Sequence, residues 1–577
     1  MNNSTAMNWQ YGVRTGLLWG AVVLYTAVIG MIVSFDGRQI IFEILTLGQL
    51  LLFAPALVVG YMVARNARDD ENATRSGTLL ISTLAGVMTA VPILTLVFVS
   101  TLIDMRPMFV NVSPTLIGIV TLAQDSLLIG GLLLALLMAA GAFVGAGMEY
   151  VPVKIRRPLA VGLMWMLGVG LLGELVIQMI RAWFANNSAA GRMVINAIFR
   201  SGGLLPLSAV ILFVVATSLS ALRQARGAEV KARIEALPPD KQKSLRRVAW
   251  SSGLLLLLAL PWIVGTYLSE VATVVGLFIL MGLGLNIAVG LAGLLDLGYV
   301  TNFAIGAYIA GILTSTGPLG LAQLPFWVVL PISVLAAMAT GFIFALPVLR
   351  MRGDYLAIAT LGFGEIIRLL ALSDWLAPLI GGAQGVLFIP KPEIGTLVFQ
   401  GPQQIYYIVL VGCMLMLFIS YRLNNSRTGR QWMAIREDED VAAAMGINTI
   451  KGKLLAFTLS AASGGLAGAI FAVKLGTIFP HSFNLLISVN VLSLIIVGGM
   501  GSVPGVVVGA LALVGLPELL REFSEYRLLL YGALLIVMML ARPEGLWPSA
   551  IRQRELSAHD DDDSVIPTQD MSVTARG

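Results

Sequence analysis

Runs of about 20 mostly apolar residues, each long enough to cross a hydrocarbon core as a helix, recur along almost the whole chain. Lipid offers no partner to an open peptide group, so each run must satisfy its own N–H and C=O groups. An all-α, polytopic integral membrane protein is therefore the expected fold. Charged residues make up 12% of the 577, where a soluble domain carries about 25%, and the deficit agrees with a bilayer environment.

The remaining charges punctuate the runs. Before Arg223 the runs lie near 15–35, 44–64, 77–103, 114–147, 159–180 and 201–222, and the basic segments 65–75, 153–158 and 223–247 follow every second one. Under the positive-inside rule this reads as six crossings with both ends inside, although Arg181, Arg192 and Arg200 fall on the outer side. The first run is read as an uncleaved helix, because no A-x-A-like cleavage site follows it.

The charged stretch 223–247, broken at Pro238-Pro239, reads as a cytoplasmic linker between two membrane units. After it come runs near 249–268, 271–292, 298–316, 325–349, 355–373, 404–421, 454–475, 485–500, 503–520 and 526–541. Basic clusters at 349–352, 421–436 and 542–554 mark the inner side. Stretches 271–316 and 485–520 are dense in glycine and suit broken or re-entrant segments, so eight to ten crossings are expected here. The expected divisions are 1–222 (an N-terminal six-helix extension), 223–247 (linker), 248–548 (a second membrane domain) and 549–577 (a polar, acidic, disordered cytoplasmic tail).

Several function classes fall away. The net charge of +5 is spread over short loops between apolar runs, which matches membrane topology and not nucleic-acid binding. One cysteine, Cys413, forbids an internal disulfide, and His481 and His559 show no metal-ligand spacing. The nearest approach to a phosphate loop, 446–454, has five residues between its glycines and Leu454 where Ser or Thr would hold magnesium. No nucleophile–base constellation stands out, so the chain is read as a transport subunit and not an enzyme. It is expected to bind no cofactor and no metal.

A hydrophilic stretch, 424–453, interrupts the second unit. Its core, AIREDEDVAAAMGI, has acids early and a glycine late, as in a short amphipathic helix with a C-terminal stop. A solvated loop with charge pairs and a docking helix for a force-generating partner are both consistent with these residues.

Residues 427–472, from RTGRQWMAIREDED to LAGAIFA, resemble the coupling loop and following helix of LivM-like permeases of branched-chain amino acid ABC importers. The blocks GLNIAVGLAGLLDLGYVTNFAIGAY (284–308), LRMRGDYLAIATLGFGEIIRL (349–369) and VGGMGSVPGVVVGALALVGLPELLR (497–521), and the closing RPEGLW (542–547), resemble the family in order and spacing. The resemblance covers roughly 250–548 and implies an ABC permease helical bundle with an additional N-terminal membrane unit. It further implies a bacterial inner-membrane protein with cytoplasmic termini, a second homologous permease subunit, two ATPase subunits that use the ATP, and an extracytoplasmic solute-binding protein. Arg436, Glu437, Asp438, Glu439, Asp440, Ala442, Ala443, Met445 and Gly446 are then the residues expected to meet an ATPase. The implied substrates are branched-chain or related amino acids, with urea and short amides as the alternative. Where the family shows a Thr-Gly-Gly-x-Asn/Asp-Gly pattern, this chain reads Ile380-Gly381-Gly382-Ala383-Gln384-Gly385.

Polar residues at membrane depth are expensive and mark pathways. Asn286, Asp296, Asn302, Glu365 and Arg368 are the candidates for lining one, with two competing accounts: Asp296 as a helix cap, and Glu365 with Arg368 as an internal ion pair three residues apart. Most glycines in 284–308 are read as helix-packing residues. In the first unit, Asp125 and Glu174 are the acids within apolar runs. A self-contained secondary transporter is the reading from another class, and it requires inverted repeats between 1–222 and 248–548.

Overall fold

The computed structural model describes residues 3–68, 74–184, 188–236, 238–348, 351, 353–519, 526–541 and 545–548. The tail 549–577, most of 349–352 and Arg542 to Glu544 lie outside these. The chain divides into two compact units, Met1–Leu255 and Leu256–Gly577.

The first unit holds α1 (Asn3–Val28), α2 (Met31–Asp36), α3 (Leu47–Arg68), α4 (Arg75–Leu102), α5 (Pro114–Val120), α6 (Leu127–Tyr150), α7 (Val153–Leu171), α8 (Gly173–Trp183), α9 (Ala189–Ile198) and α10 (Pro206–Glu235). Small residues let α3 and α6 cross closely: a Cβ on Gly60 would stand 1.9 Å from the Ala142 carbonyl oxygen, and one on Gly145 2.0 Å from that of Leu57. Val23, Leu52, Ile93, Leu134 and Met138 fill the core between α1, α3, α4 and α6. At one end the buried Glu149 is held by Arg68, at 2.8 Å, and by Arg156. At the other end a four-stranded sheet forms from β1 (Gln39–Ile41), β2 (Leu45–Thr46), β3 (Phe199–Arg200) and β4 (Gly203–Leu204) in the order β2-β1-β4-β3. Ser201 and Gly202, both at positive φ, make the two-residue β3–β4 turn, matching the right-handed twist of the strands it joins.

The second unit is built on α11 (Pro239–Leu285), within which the unit boundary falls, followed by α12 (Tyr299–Thr314), α13 (Phe326–Val348), α14 (Asp354–Leu372), α15 (Ala377–Ile380) and α16 (Pro402–Asn424). Next come α17 (Arg427–Glu437), α18 (Glu439–Ala444), α19 (Thr449–Leu475), α20 (Leu485–Gly498), α21 (Val503–Ala510), α22 (Leu516–Leu519) and α23 (Arg527–Ala541). Gly265, at φ 81° and ψ −175°, breaks α11 into two arms. The first arm accepts hydrogen bonds at Leu257, Leu258 and Pro261 from Tyr406, Tyr407 and Gln403, and so runs antiparallel to α16. The second packs Gly276 against Val409 and Cys413, and Leu280 against Gly412, running the other way. α19 forms the centre, with Gly465 and Gly468 pressed against the backbones of α13 and α12.

Among the described residues ten helices are long and apolar enough to cross a membrane, or eleven if the bent pair α7–α8 is one span. The sequence runs suggest more. The run 114–147 is divided between α5 and α6; 249–268 and 271–292 are the two arms of α11; and 298–316 and 503–520 form helices of only 16 and 17 residues. Glycine is the physical reason in the second unit, since it permits left-handed turns at Gly293, Gly499 and Gly501 that cut the apolar stretches short.

Candidate functional site

The hydrophilic stretch 424–453 folds into an elbow of two short helices. Ser426 caps α17 by accepting from the Gly429 N–H at 3.1 Å, and the indole of Trp432, fully buried, donates to the Gly452 carbonyl at 2.8 Å. Where the sequence suggests one helix, the chain makes two, because the Asp438 carboxylate turns back to accept from the Asp440 and Val441 N–H groups at 2.9 Å and starts α18. Gly446, at φ 86°, ends α18, and Asn448 caps α19 through the Lys451 N–H at 3.0 Å. Lys453, almost wholly buried, pairs with Glu439 at 2.6 Å and ties α18 to α19. Outward, this elbow presents Val441, Met445 and Ile450, 58%, 80% and 65% exposed, beside Glu437, Asp440 and Ala443.

Inward, the elbow meets a break. After Leu285 the chain widens into a π-helical turn, Asn286–Leu291, and leaves helix at Gly293. The Asn286 side-chain oxygen accepts from the Gly501 N–H at 2.9 Å, joining this turn to the loop between α20 and α21. The Arg436 guanidinium donates to the Gly290 carbonyl at 2.6 Å. A Cβ on Gly293 would stand 2.9 Å from the Arg436 Cγ, and one on Gly290 2.7 Å from the Gly501 nitrogen, so the glycines form the notch that admits the arginine. Leu546 and Trp547 close the far side with backbone bonds to Val497 and Gly498.

Two cavities adjoin α12, just beyond the break. One, about 30 Å³, is the more polar of the two: Asp296, Thr301, Asn302 and Thr360 line it, together with Phe344, Phe363 and Phe457. Asp296 accepts from the Gly298 N–H at 3.0 Å in the turn that precedes α12, whereas Thr301 Oγ1 and Asn302 Oδ1, both buried, have no hydrogen-bond partner. The space is large enough for a water molecule or two, with polar neighbours to bond them. The other cavity, about 220 Å³, is walled by Ile305, Ile309, Ile312, Ile367, Leu376 and Ile380. Its polar points are Thr301, the Tyr308 hydroxyl, also buried and unpartnered, and Arg368. Arg368 Nε contacts both Glu365 carboxylate oxygens, at 3.1 and 3.0 Å.

The family described as branched-chain amino acid transport system / permease component matches residues 267–539. The high-affinity branched-chain amino acid transport system permease protein LivM of Escherichia coli (strain K12) is 41% identical over 326 residues, covering 52% of this chain and 75% of the relative.

The chain belongs to this permease family.

A probable branched-chain amino acid transport permease protein LivM, from Methanocaldococcus jannaschii, is 24% identical over 320 residues, covering 47% of this chain and 91% of that protein. LivH of Escherichia coli (strain K12) is 34% identical over 147 residues, 25% of this chain and 46% of its own length. No solved structure matches. The matched span takes in the break, both cavities and the α17–α18 elbow of this permease, and leaves residues before 267 outside.

Within the permease the residues singled out from sequence separate by position. Arg436 and Ala442 point inward, Asp438 and Glu439 hold the elbow together, and Glu437, Asp440, Ala443, Met445 and Gly446 lie on the surface. Asn286 braces the break; Asp296 and Asn302 share the polar cavity; Arg368 reaches the apolar one while Glu365 holds it. Sequence reasoning missed Val441 and Ile450 as exposed apolar residues, Lys453 as the inner anchor and Tyr308 as a cavity hydroxyl. The spacing of Val441 and Met445, four apart on one helical face, was the available signal for the first.

Proposed function

We propose that this permease forms half of the translocation pathway of an ATP-driven importer for branched-chain amino acids. A second, homologous permease chain supplies the other half, two ATPase chains dock on α17–α18, and an extracytoplasmic solute-binding protein delivers the substrate. ATP is bound and hydrolysed by the ATPases; this chain transmits the motion.

The contact that carries the reading is Arg436 to Gly290. An exposed apolar helix face and a broken segment beside two cavities are joined by one charged hydrogen bond, so a push on α18 reaches the break without passing through a compliant loop. The substrate class rests on the larger cavity. Its isoleucine-rich wall suits an isobutyl or sec-butyl side chain, and Arg368 and Tyr308 provide a cation and a hydroxyl for the polar end of an amino acid. A urea-sized amide leaves that wall unfilled.

Reconstitution of the full complex in proteoliposomes tests this. Leucine, isoleucine or valine uptake that needs ATP and the binding protein is expected, and Val441→Glu with Met445→Glu abolishes co-purification of the ATPases. Uptake of urea in place of leucine, or leucine uptake by this chain alone without ATP, overturns the reading.

A further inference from the structure

The first unit carries a second site, at the end away from the Glu149 ion cluster. The chain bends by 75° between α7 and α8, and the two helices that follow, α8 and α9, are short and amphipathic. α8 buries Leu175, Ile177 and Ile180 and exposes Glu174 and Arg181; α9 exposes Arg192 and Asn196. An open cleft of about 560 Å³ lies over them, with Arg181, Asn196, Arg200 and Glu174 on its walls and the Ser201-Gly202 turn at its edge. A smaller cleft, about 230 Å³, shares Arg181 and Asn196 and adds Arg192. Two arginines, Arg181 and Arg200, thus share the larger cleft with one carboxylate, and Arg192 adds a third cation in the adjoining one. Burial lowers the Arg38 pKa, an effect opposed by the neighbouring Glu174 charge, so Glu174 has a further cation to answer. Arg200 stacks over Phe42 at 5.0 Å, which fixes its guanidinium at the cleft wall.

The rim is apolar. Trp183 and Phe184, at the end of α8, are 56% and 37% exposed, and Met193, midway along α9, is 77% exposed. Amphipathic helices with basic polar faces, flanked by aromatic residues, lie in the interfacial plane of a bilayer. These are the three arginines that break the charge pattern of the sequence, and their placement accounts for them.

We propose that this cleft binds the phosphate headgroup of an anionic glycerophospholipid, with the acyl chains running along the exposed apolar rim. A soluble anion gains nothing from that rim. A protein partner with an acidic surface fits the charge but not an apolar edge at the end of a membrane-spanning helix.

Full-length protein purified in detergent, offered equal amounts of phosphatidylglycerol and phosphatidylcholine and read by native mass spectrometry, tests the proposal. Wild type is expected to retain phosphatidylglycerol preferentially, with each arginine lost lowering that preference roughly fivefold. Arg181→Gln/Arg192→Gln/Arg200→Gln abolishes it, and the triple lysine variant keeps most of it. Should the glutamine triple aggregate, Arg192→Gln alone, on an exposed face, is expected to show the single-residue step. No preference in wild type, an unchanged preference in the glutamine triple, or displacement of the lipid by inorganic phosphate at equal concentration overturns the assignment.

Discussion

Arg436 of α17 donates a hydrogen bond to the carbonyl of Gly290 across 146 positions of sequence, at 2.6 Å. A charged donor on a main-chain acceptor contributes about 1.5–3 kcal/mol. Arg436→Gln is therefore expected to leave ATPase co-purification intact and to lower coupled uptake at least about tenfold. Transport per ATP hydrolysed is the measurement; an unchanged ratio removes Arg436 from the coupling route.

Gly290 and Gly446 separate crowding from backbone strain. Gly290→Ala places a methyl against Asn286 and the Gly501 nitrogen, and overpacking of this kind costs about 1–3 kcal/mol. Gly446→Ala meets open space but sits at φ 86°, costing about 1 kcal/mol. Thermal unfolding in detergent is expected to fall in both, with uptake impaired further in Gly290→Ala. Gly362→Ala, inside α14 with nothing within 4 Å of its Cβ, is the control and should hold or raise stability.

The outer face of α18 is expected to be dispensable for folding. Val441 and Met445 are exposed, so Val441→Glu/Met445→Glu should melt within about 0.5 kcal/mol of wild type while losing the ATPases in a pull-down. A large drop in melting temperature would instead make the face part of the fold.

Asp438 works through geometry and not net charge. Asp438→Asn keeps an acceptor at the cap and should behave as wild type, whereas Asp438→Ala costs about 1 kcal/mol of helix-start stability. Equal loss in both variants, measured by hydrogen exchange across 438–446, would point to an electrostatic role.

The larger cavity predicts a change of selectivity. Ala304→Phe fills it and is expected to reduce leucine uptake more than alanine uptake in competition assays. Tyr308→Phe removes a buried hydroxyl that has no protein partner, so stability should hold or rise while apparent substrate affinity drops.

The largely helical fold was legible because apolar runs in lipid have few alternatives, and the elbow was legible because a thirty-residue stretch rich in charge between two such runs does not enter the bilayer. What escaped was anything set by which side chain folds back onto which partner. Asp438 looks like one acid among four until the cap forms; Lys453 looks like a loop lysine until Glu439 folds back onto it. Asp296 was equally readable as a cap or a pathway group; it accepts from the Gly298 N–H in the turn before α12 and also lines the smaller cavity. Arg181, Arg192 and Arg200 read as exceptions to a topology rule because the sequence does not display the bend at Leu172 that gathers them.

The brevity of α12 has a physical consequence for permeation. Its 16 residues rise about 24 Å, and it begins in a polar turn, against a hydrocarbon core of about 30 Å. In the proposed pathway, a solute moving beside this helix would be stripped of its hydration over a shorter distance than the full hydrocarbon core imposes.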